Sequence, residues 1–267
     1  MPVVNGIGQS EYTAHKQYAL DKILRHQMAI CKAVFRSRDW HPPRVYHYYD
    51  IYAGCGSNDS VGCQGSPLVF LDAITDAGIP YDAHCIELGG ENANLLKSRV
   101  APTIYVHAGD NAQVLPGLLG TLRGEWNYGT IYADPNDLPP FDLLAEASNN
   151  PNAQRIDMLV YLSATNYKRV RKVWGRDYLT DALAKINKKV WLVSAPVGRS
   201  QWAFLFGTNY EKYSDYRAIQ FYRVDSPEGA AVLERLTYTT DERGEGKQPS
   251  FFTGPTPNTS SSPSSRP

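Results

Sequence analysis

Short strand-like segments alternate with helix-like segments through the first two thirds of the chain, and this alternation limits the folds available to it. The strand-like segments cover residues 45–52, a short stretch that ends at 87, 103–107, 129–133 and 157–163, and the helix-like segments cover 67–77, 92–99, 112–119 and 141–147. Parallel neighbouring strands need crossover connections of this length, usually a helix. The pattern therefore predicts an α/β fold whose mainly parallel sheet carries helices on both faces.

The last strands follow a different pattern. Residues 189–194 and 201–208 are both rich in apolar and aromatic residues, and only a few residues separate them. So short a connection permits an antiparallel hairpin and excludes a parallel crossover. We therefore expect an antiparallel hairpin at the edge of the sheet, with a further strand-like piece at 218–224 and a helix at 227–235.

Composition along the chain suggests three parts. Residues 11–38 place apolar side chains at helical spacing among basic and polar ones, and two prolines end the pattern. We assign residues 1–44 to an N-terminal helical segment and residues 45–238 to the α/β domain. Residues 239–267 are polar and rich in Pro, Ser, Thr and Gly, so we expect a disordered tail.

Overall composition restricts the function classes. The 267 residues are 42% hydrophobic, and 27 basic residues balance 27 acidic ones, so no net charge favours nucleic acid or membrane binding. No apolar run reaches the roughly 18 residues of a membrane span, and we expect a soluble, cytoplasmic protein without membrane contact. The four cysteines, at positions 31, 55, 63 and 85, form no CxxC pair. We expect reduced thiols and no metal site.

A glycine loop follows the first strand of the domain. The run DIYAGCG at 50–56 places Gly54 and Gly56 directly after aromatic, strand-forming residues. Glycine takes positive φ and lets the backbone approach a ligand closely, and the carboxyl ends of such strands are where α/β proteins bind ligands. The third glycine of GxGxxG is absent, because Asp59 stands there, and no P-loop pattern follows, so a phosphate cradle is disfavoured. A plain turn stays open for this loop alone.

Acidic residues close the next three strands in order: Glu87, Asp110 and Asp134. In a doubly wound sheet these strand ends share one edge, so the three carboxylates fall beside the glycine loop. Glu87 is then placed to accept hydrogen bonds from both ribose hydroxyls, and Asp110 from an adenine amino group. Any one of them alone is as well explained by a turn. Together they predict a site for a nucleoside-type cofactor.

These motifs resemble those of the class I S-adenosylmethionine-dependent methyltransferases, over about residues 45–208. The resemblance rests on DIYAGCG, CIELGG at 85–90, HAGD at 107–110 and IYADPN at 131–136. It implies a Rossmann-like sheet with a terminal antiparallel hairpin, and S-adenosylmethionine as the cofactor. The residues that it implies for cofactor binding are Asp50, Tyr52, Ala53, Gly54, Gly56, Glu87, Asp110 and Asn111.

A narrower resemblance comes from GSPL at 65–68 and from the Asp134–Pro135 pair. With the glycine strand before them, these are similar to the bacterial and phage three-Cys-motif partner proteins. That resemblance leaves open what the protein acts on and whether it needs a protein partner.

The DPN run at Asp134, Pro135 and Asn136 stands where methyltransferases of exocyclic amines carry Asp/Asn/Ser-Pro-Pro-aromatic. An exocyclic amine needs acceptors for its protons, and the Asp134 carboxylate and the Pro135 carbonyl supply them. We predict these three residues as catalytic, acting on a base in DNA or RNA. Asn136 replaces the second proline and Asp137 the aromatic residue that stacks on a flipped base. A catalytically inactive nucleotide-binding or partner-interaction protein is therefore the alternative, and an NAD-linked oxidoreductase is a third reading.

A basic cluster follows the fifth strand, at residues 166–176. Basic side chains contact phosphates and aromatic rings stack on bases, so this combination suits a nucleic acid. A solvated helix face with an aromatic anchor explains it equally well. The residues predicted to bind substrate are Tyr167, Lys168, Arg169, Arg171 and Trp174.

Overall fold

The structure is a computed structural model. It describes residues 13–37, 44–59, 62–174, 178–196, 202–213, 215–239 and 242–244, together with the backbone of 3–4 and 7–8. Side chains are described for all of the longer ranges except residues 171–174 and 178. Most of the predicted tail, 239–267, lies outside the described residues.

Twelve strands and eight helices are described. The strands are β1 (Val3–Val4), β2 (Ile7–Gly8), β3 (Tyr46–Asp50), β4 (Ser57–Asn58), β5 (Cys63–Gln64), β6 (Tyr81–Glu87), β7 (Ile104–Ala108), β8 (Tyr128–Ala133), β9 (Ile156–Ser163), β10 (Val190–Ser194), β11 (Trp202–Thr208) and β12 (Phe221–Arg223). The helices are α1 (Thr13–Arg36), α2 (Ser66–Ala77), α3 (Gly90–Arg99), α4 (Asn111–Thr121), α5 (Phe141–Ser148), α6 (Ala164–Trp174), α7 (Tyr178–Lys185) and α8 (Pro227–Thr237).

Eight of the strands form the central sheet, in the order β12-β10-β11-β9-β8-β3-β6-β7. β3 is parallel to β6 and β8, and the parallel pairing continues to β7 on one side and β9 on the other. β11 runs antiparallel to β9 and β10. The predicted Rossmann-like architecture, a mainly parallel sheet with an antiparallel hairpin in its last strands, is confirmed by this order and direction. Strand order reverses between β3 and β8, which is where such sheets open a crevice.

The end of the sheet differs from the prediction in one respect. The hairpin does not form the edge: β11 inserts between β9 and β10, and β12 pairs outside β10. All seven residues of β11 are buried, so this apolar strand belongs inside the sheet. The strand predicted over 218–224 shortens to β12, because the chain turns at Tyr216–Ile219 and Gln220 has a φ of 60°.

Alternating side chains of β3 point to two separate cores. Tyr46 and Tyr48 pack with α1 and α2, where the rings of Tyr48 and Phe70 stack at 3.9 Å. Tyr49 and Ile51 face the opposite core, to which α4 through α8 contribute. This period of two is the pleat of a strand that is buried on both faces. The helices on both faces match the prediction.

The long helix α1 packs on the sheet. Leu20, Leu24 and Met28 are fully buried in the same core as Tyr46. The Gln27 amide also donates to the buried carboxylate of Asp157 on β9. α1 is thereby fixed along its length, and its amino-terminal turn lies at the carboxyl edge of the sheet. In the part of the chain that is described, no helix combines the length and apolarity needed to cross a membrane.

Candidate functional site at the carboxyl ends of the parallel strands

A cleft of about 660 Å³ opens where β3, β6, β7 and β8 end. Its described lining comes from residues 51–58, 65–66, 86–89, 109–111 and 134–138, with Asn92 of α3 and Lys16 and Gln17 of α1. The volume is typical of small-molecule sites. A second cavity, of about 760 Å³, lies at the opposite end of the sheet near Asp157 and Tyr213. It includes none of the strand-end motifs, so the first cleft is the candidate functional site.

The glycine loop has the backbone geometry that its sequence requires. Gly54 and Gly56 have φ values of 62° and 81°, in the left-handed region that favours glycine. Gly65 crosses Gly56 so closely that its N–H donates to the Gly56 carbonyl at 2.9 Å, and a Cβ on Gly65 falls 2.8 Å from the Gly56 carbonyl carbon. Arg99 of α3 donates to the Cys55 carbonyl at 2.9 Å. The loop is held on both sides.

Asp50 supports this loop from behind and does not face the cleft. Its side chain is fully buried, accepting a 2.6 Å hydrogen bond from the Ser66 hydroxyl and a 3.2 Å bond from the Tyr52 N–H. The Tyr48 hydroxyl donates to it at 3.3 Å. Burial raises the pKa of Asp50 to about 7. The prediction that Asp50 faces the cofactor is therefore corrected: the residue joins the loop to the first turn of α2.

Glu87 is the carboxylate most firmly placed in the cleft. Its Oε2 accepts from the Gly54 N–H at 3.0 Å, and its Oε1 accepts from the Gly89 N–H at 2.9 Å. A carboxylate oxygen can accept a second hydrogen bond. Glu87 is thus oriented by the backbone, with capacity for two neighbouring hydroxyl groups.

The next strand ends place Asp110 and Asn111 on the same cleft. Asp110 accepts from the Ala112 N–H at 2.9 Å as the N-cap of α4. The Asn111 amide donates to the Ile51 carbonyl at 3.1 Å, which ties α4 to the glycine loop. The cleft therefore brings together all the predicted cofactor residues except Asp50, with Tyr52, Ala53, Gly54, Gly56 and Glu87 on the same lining.

The other side of the cleft contains an ion pair that the sequence did not predict. Lys16 Nζ lies 2.6 Å from Asp134 Oδ2 and 4.8 Å from the centre of the Tyr161 ring. Both side chains are less than one fifth exposed. Pro135 and Asn136 continue the lining beside Asp134. Lys16 and Asp134 are 118 residues apart, and nothing in their local sequences marks them as partners.

Carboxylates dominate the electrostatics of the cleft. Its described lining carries Glu87, Asp110, Asp134 and Asp137, whereas Lys16 is the only basic residue among them. Such a lining favours a cationic ligand and disfavours phosphates, since like charges repel in a partly desolvated site. A ligand with a sulfonium or ammonium group and ribose hydroxyls therefore fits these carboxylates better than a pyrophosphate does.

The basic helix α6 begins beside the side of the cleft that contains the Lys16–Asp134 ion pair. The Asn166 amide donates to the Asn136 carbonyl at 3.0 Å, and Arg169 Nη2 lies 3.3 Å from Asp137 Oδ1. Arg169 and Asp137 are about 70% exposed, at 69% and 71%. Lys168 is half-buried on the same helix.

The other three predicted substrate residues, Tyr167, Arg171 and Trp174, have different outcomes. Tyr167 is 1% exposed and its hydroxyl accepts from the Leu179 N–H at 2.6 Å, so its ring belongs to the core and does not stack on a base. This corrects the prediction for Tyr167. The backbone of Arg171 and Trp174 is helical, but their side chains lie outside the described ones.

Comparisons with known proteins give structural similarity alone. A Legionella pneumophila protein, LPL1258, has a TM-score of 0.48 at 12% identity, covering 75% of this chain and 89% of its own. A human methyltransferase 10 domain containing protein has a TM-score of 0.45 at 12% identity, covering 73% and 84%. A TehB-like SAM-dependent methyltransferase from Corynebacterium glutamicum has 0.37 at 12% identity, covering 69% and 86%.

No family model and no curated protein matches the chain. The three structural similarities have TM-scores below 0.5, so the fold assignment rests on the strand order and direction in the sheet itself. The narrower resemblance to three-Cys-motif partner proteins finds no support in these comparisons.

Proposed function

We propose that this protein is an S-adenosylmethionine-dependent methyltransferase that modifies the exocyclic amine of a base in DNA or RNA. One observation carries the proposal: Glu87 is held by two backbone amides at the edge of an acidic cleft, one strand away from the glycine loop. That placement suits the two hydroxyls of a ribose whose nucleoside carries a positive charge.

The glycine loop, Glu87 and Asp110 form the side of the cleft that binds the methyl donor, which we call the donor side. Each of them contacts a different part of S-adenosylmethionine. Glu87 accepts from the ribose hydroxyls, and Asp110 accepts from the adenine amino group. The backbone of Gly54 and Gly56 borders the methionine end. A dinucleotide such as NAD brings phosphates that this lining does not match, because Lys16 is the sole basic group on its described surface.

Lys16, Asp134 and Pro135 form the side of the cleft where the methyl acceptor binds, which we call the acceptor side. It supplies groups that accept hydrogen bonds from the amine. S-adenosylmethionine, when bound, supplies a methyl group whose bond to sulfur breaks, leaving its electron pair on sulfur, as the lone pair of the acceptor nitrogen bonds to the carbon. Asp134 and the Pro135 carbonyl accept hydrogen bonds from the amine and hold its lone pair toward the methyl group. The Asp134 carboxylate then takes the proton that the nitrogen gives up.

The position of α6 supports a nucleic acid as the acceptor. α6 is tied to the loop after Asp134 through Asn166 and Arg169, which puts the basic residues Lys168 and Arg169 beside the acceptor side. Basic groups at the rim contact phosphates while a base enters the cleft.

Binding and transfer assays test the proposal separately. Calorimetry with S-adenosylmethionine is expected to show saturable binding, with NAD as the comparison ligand that does not bind. Incubation with methyl-labelled S-adenosylmethionine and mixed DNA, RNA and protein acceptors is expected to label nucleic acid. Absence of S-adenosylmethionine binding contradicts the enzyme assignment, whereas labelling of protein alone contradicts the acceptor.

The alternative is a non-catalytic protein that retains the nucleoside site. One observation favours it: the carboxylate of Asp134 is already paired with Lys16, and neither Asn136 nor Asp137 supplies a stacking ring. This alternative predicts S-adenosylmethionine binding without transfer to any acceptor in the same assays.

A further inference from the structure

We propose that Lys16 and Asp134 bind the Watson–Crick edge of the acceptor base, selecting a base whose amino group adjoins an unprotonated ring nitrogen on that edge. Adenine, through its N6 and N1, and cytosine, through its N4 and N3, have this edge. The inference rests on the proposed function and adds the acceptor class and a specificity residue, Lys16, from outside the methyltransferase motifs.

The ion pair presents a donor and an acceptor side by side. Lys16 Nζ and Asp134 Oδ2 are 2.6 Å apart, and both residues line the cleft. The amino group of adenine or cytosine donates, and the neighbouring ring nitrogen accepts. Asp134 thus complements the amino group while Lys16 complements the ring nitrogen. An ammonium has three donors, and the bond to Asp134 uses one of them.

Lys16 is held in place for this interaction. α1 is anchored through Leu20 and Leu24, which are fully buried one and two turns further along the helix. The ammonium also lies 4.8 Å from the centre of the Tyr161 ring, at cation–π distance. A long side chain fixed by its helix, a carboxylate and a ring loses little further freedom when a base binds.

Gln17 provides an independent sign of a ligand on this side. It is 7% exposed and lines the cleft, and its Oε1 is buried without a hydrogen-bond partner among the described residues. A buried acceptor without a partner is costly. The second proton of the amino group, which the proposed function directs to the Pro135 carbonyl, would be shared with Gln17 Oε1, so that three acceptors surround the amino group.

This arrangement discriminates against the other bases. On the Watson–Crick edge, guanine at N1 and thymine or uracil at N3 carry a proton, so their ring N–H meets the Lys16 ammonium donor to donor. It also addresses the departures at Asn136 and Asp137: residues of α1 hold the base edge where the usual proline and aromatic residue are missing.

The experiment uses the full chain, S-adenosylmethionine and random single-stranded DNA oligonucleotides, which cover many sequence contexts. Methylated nucleosides are identified by mass spectrometry after digestion. Parallel pools contain 1-deazaadenine in place of adenine, or 3-deazacytosine in place of cytosine, so that only the ring nitrogen is lost. We expect methylation of adenine or cytosine alone, and a decrease of about tenfold in the matching deaza pool, the usual worth of one such hydrogen bond.

The variants Lys16→Met and Lys22→Met make the assignment residue-specific. Lys22 lies on the same helix, is exposed and contacts Tyr18 rather than the cleft. Lys16→Met is expected to slow transfer about tenfold on the natural base and to abolish the difference between natural and deaza pools. Lys22→Met is expected to keep that difference.

Two outcomes overturn the inference: methylation of guanine or thymine, or equal transfer to natural and deaza pools. Calorimetry with S-adenosylmethionine on the same preparations separates these from failure of the proposed function, which is shown by the absence of donor binding or by donor binding without transfer to any acceptor. If Lys16→Met does not fold, the unmodified protein still tests the inference, because its transfer to the natural pools can be compared with its transfer to the deaza pools.

Discussion

The two sides of the cleft are built in different ways. The donor side comes from consecutive strand ends between Asp50 and Asn111, and backbone amides orient its central carboxylate, Glu87. The acceptor side joins Lys16 of α1 to Asp134 across 118 residues, through side chains alone. Sheet topology therefore determines the first side, whereas the packing of an added helix determines the second. In the proposed function, acceptor preference can then change without disturbing donor binding.

The largest expected effect concerns Asp50, on which the rigidity of the donor side depends. Its folded pKa of about 7 lies above the value of about 4 for an exposed carboxyl, so folding favours its protonated form. The stability that this contributes is present below pH 4 and is lost as the pH rises to 7, on the order of 4 kcal/mol. Asp50→Asn is expected to remove this pH dependence.

Urea unfolding at pH 4, 5.5, 7 and 8 measures this pH dependence of the unfolding free energy. The unfolding free energy of Asp50→Asn, relative to the unmodified protein, should increase between pH 4 and 7 and level off above. Asp157 is also buried, with a pKa raised to about 6, but it titrates in both proteins and cancels in the difference. A difference that is flat with pH means that Asp50 is solvated and that the donor side is not anchored as described.

The next effect is on donor binding. Glu87→Gln keeps the size of the side chain but removes the charge that, in the proposed function, strengthens two hydrogen bonds to the ribose. We expect S-adenosylmethionine to bind about 100-fold more weakly, by calorimetry. Glu91→Gln is the matched control, because Glu91 is exposed in the first turn of α3 and is outside the described cleft lining. Equal affinities for the two variants would falsify the donor-side assignment.

A smaller effect is expected for the glycine loop. Gly56→Ala places a Cβ at a φ of 81°, 2.8 Å from Leu96 Cδ1, which we expect to lower the unfolding free energy by about 2 kcal/mol. Gly124→Ala has a similar φ of 68° but open space around it, so it measures the backbone cost alone, about 1 kcal/mol. If Gly56→Ala lowers the unfolding free energy no more than Gly124→Ala does, Leu96 and α3 move to accommodate the added Cβ. The loop is then less tightly held than the hydrogen bond from Arg99 indicates.

The same division explains what the sequence could predict. The strand and helix alternation and the strand-end carboxylates are local signals, and parallel topology gathers those ends by itself. The place of β11 inside the sheet depends on long-range pairing that no local pattern records. Lys16 is similarly hidden, being one of several basic residues on an amphipathic helix.

The corrected predictions for Asp50 and Tyr167 each had a local pattern that indicated a buried side chain. All five residues of β3 are buried, so a carboxylate ending such a strand is expected to find internal partners, as Asp50 does with Ser66. In α6, Tyr167 lies three residues after the buried Ala164, which places both on the core-facing side of the helix. The aromatic character of Tyr167 pointed to stacking, whereas helical periodicity pointed to the core.

The smallest effect tests how far the acceptor side extends along α6. Arg169 pairs with Asp137 at 3.3 Å, and both are so exposed that Arg169→Met should change the unfolding free energy by less than about 0.5 kcal/mol. If Arg169 also contacts a phosphate, the variant weakens binding to a single-stranded oligonucleotide, and the slope of log affinity against log salt decreases by about 1. Lys185→Met is the control, since Lys185 forms a similarly exposed pair with Asp142 on α5. Identical salt slopes for the two variants confine the acceptor side to Lys16, Gln17 and Asp134, and make α6 a solvated helix face.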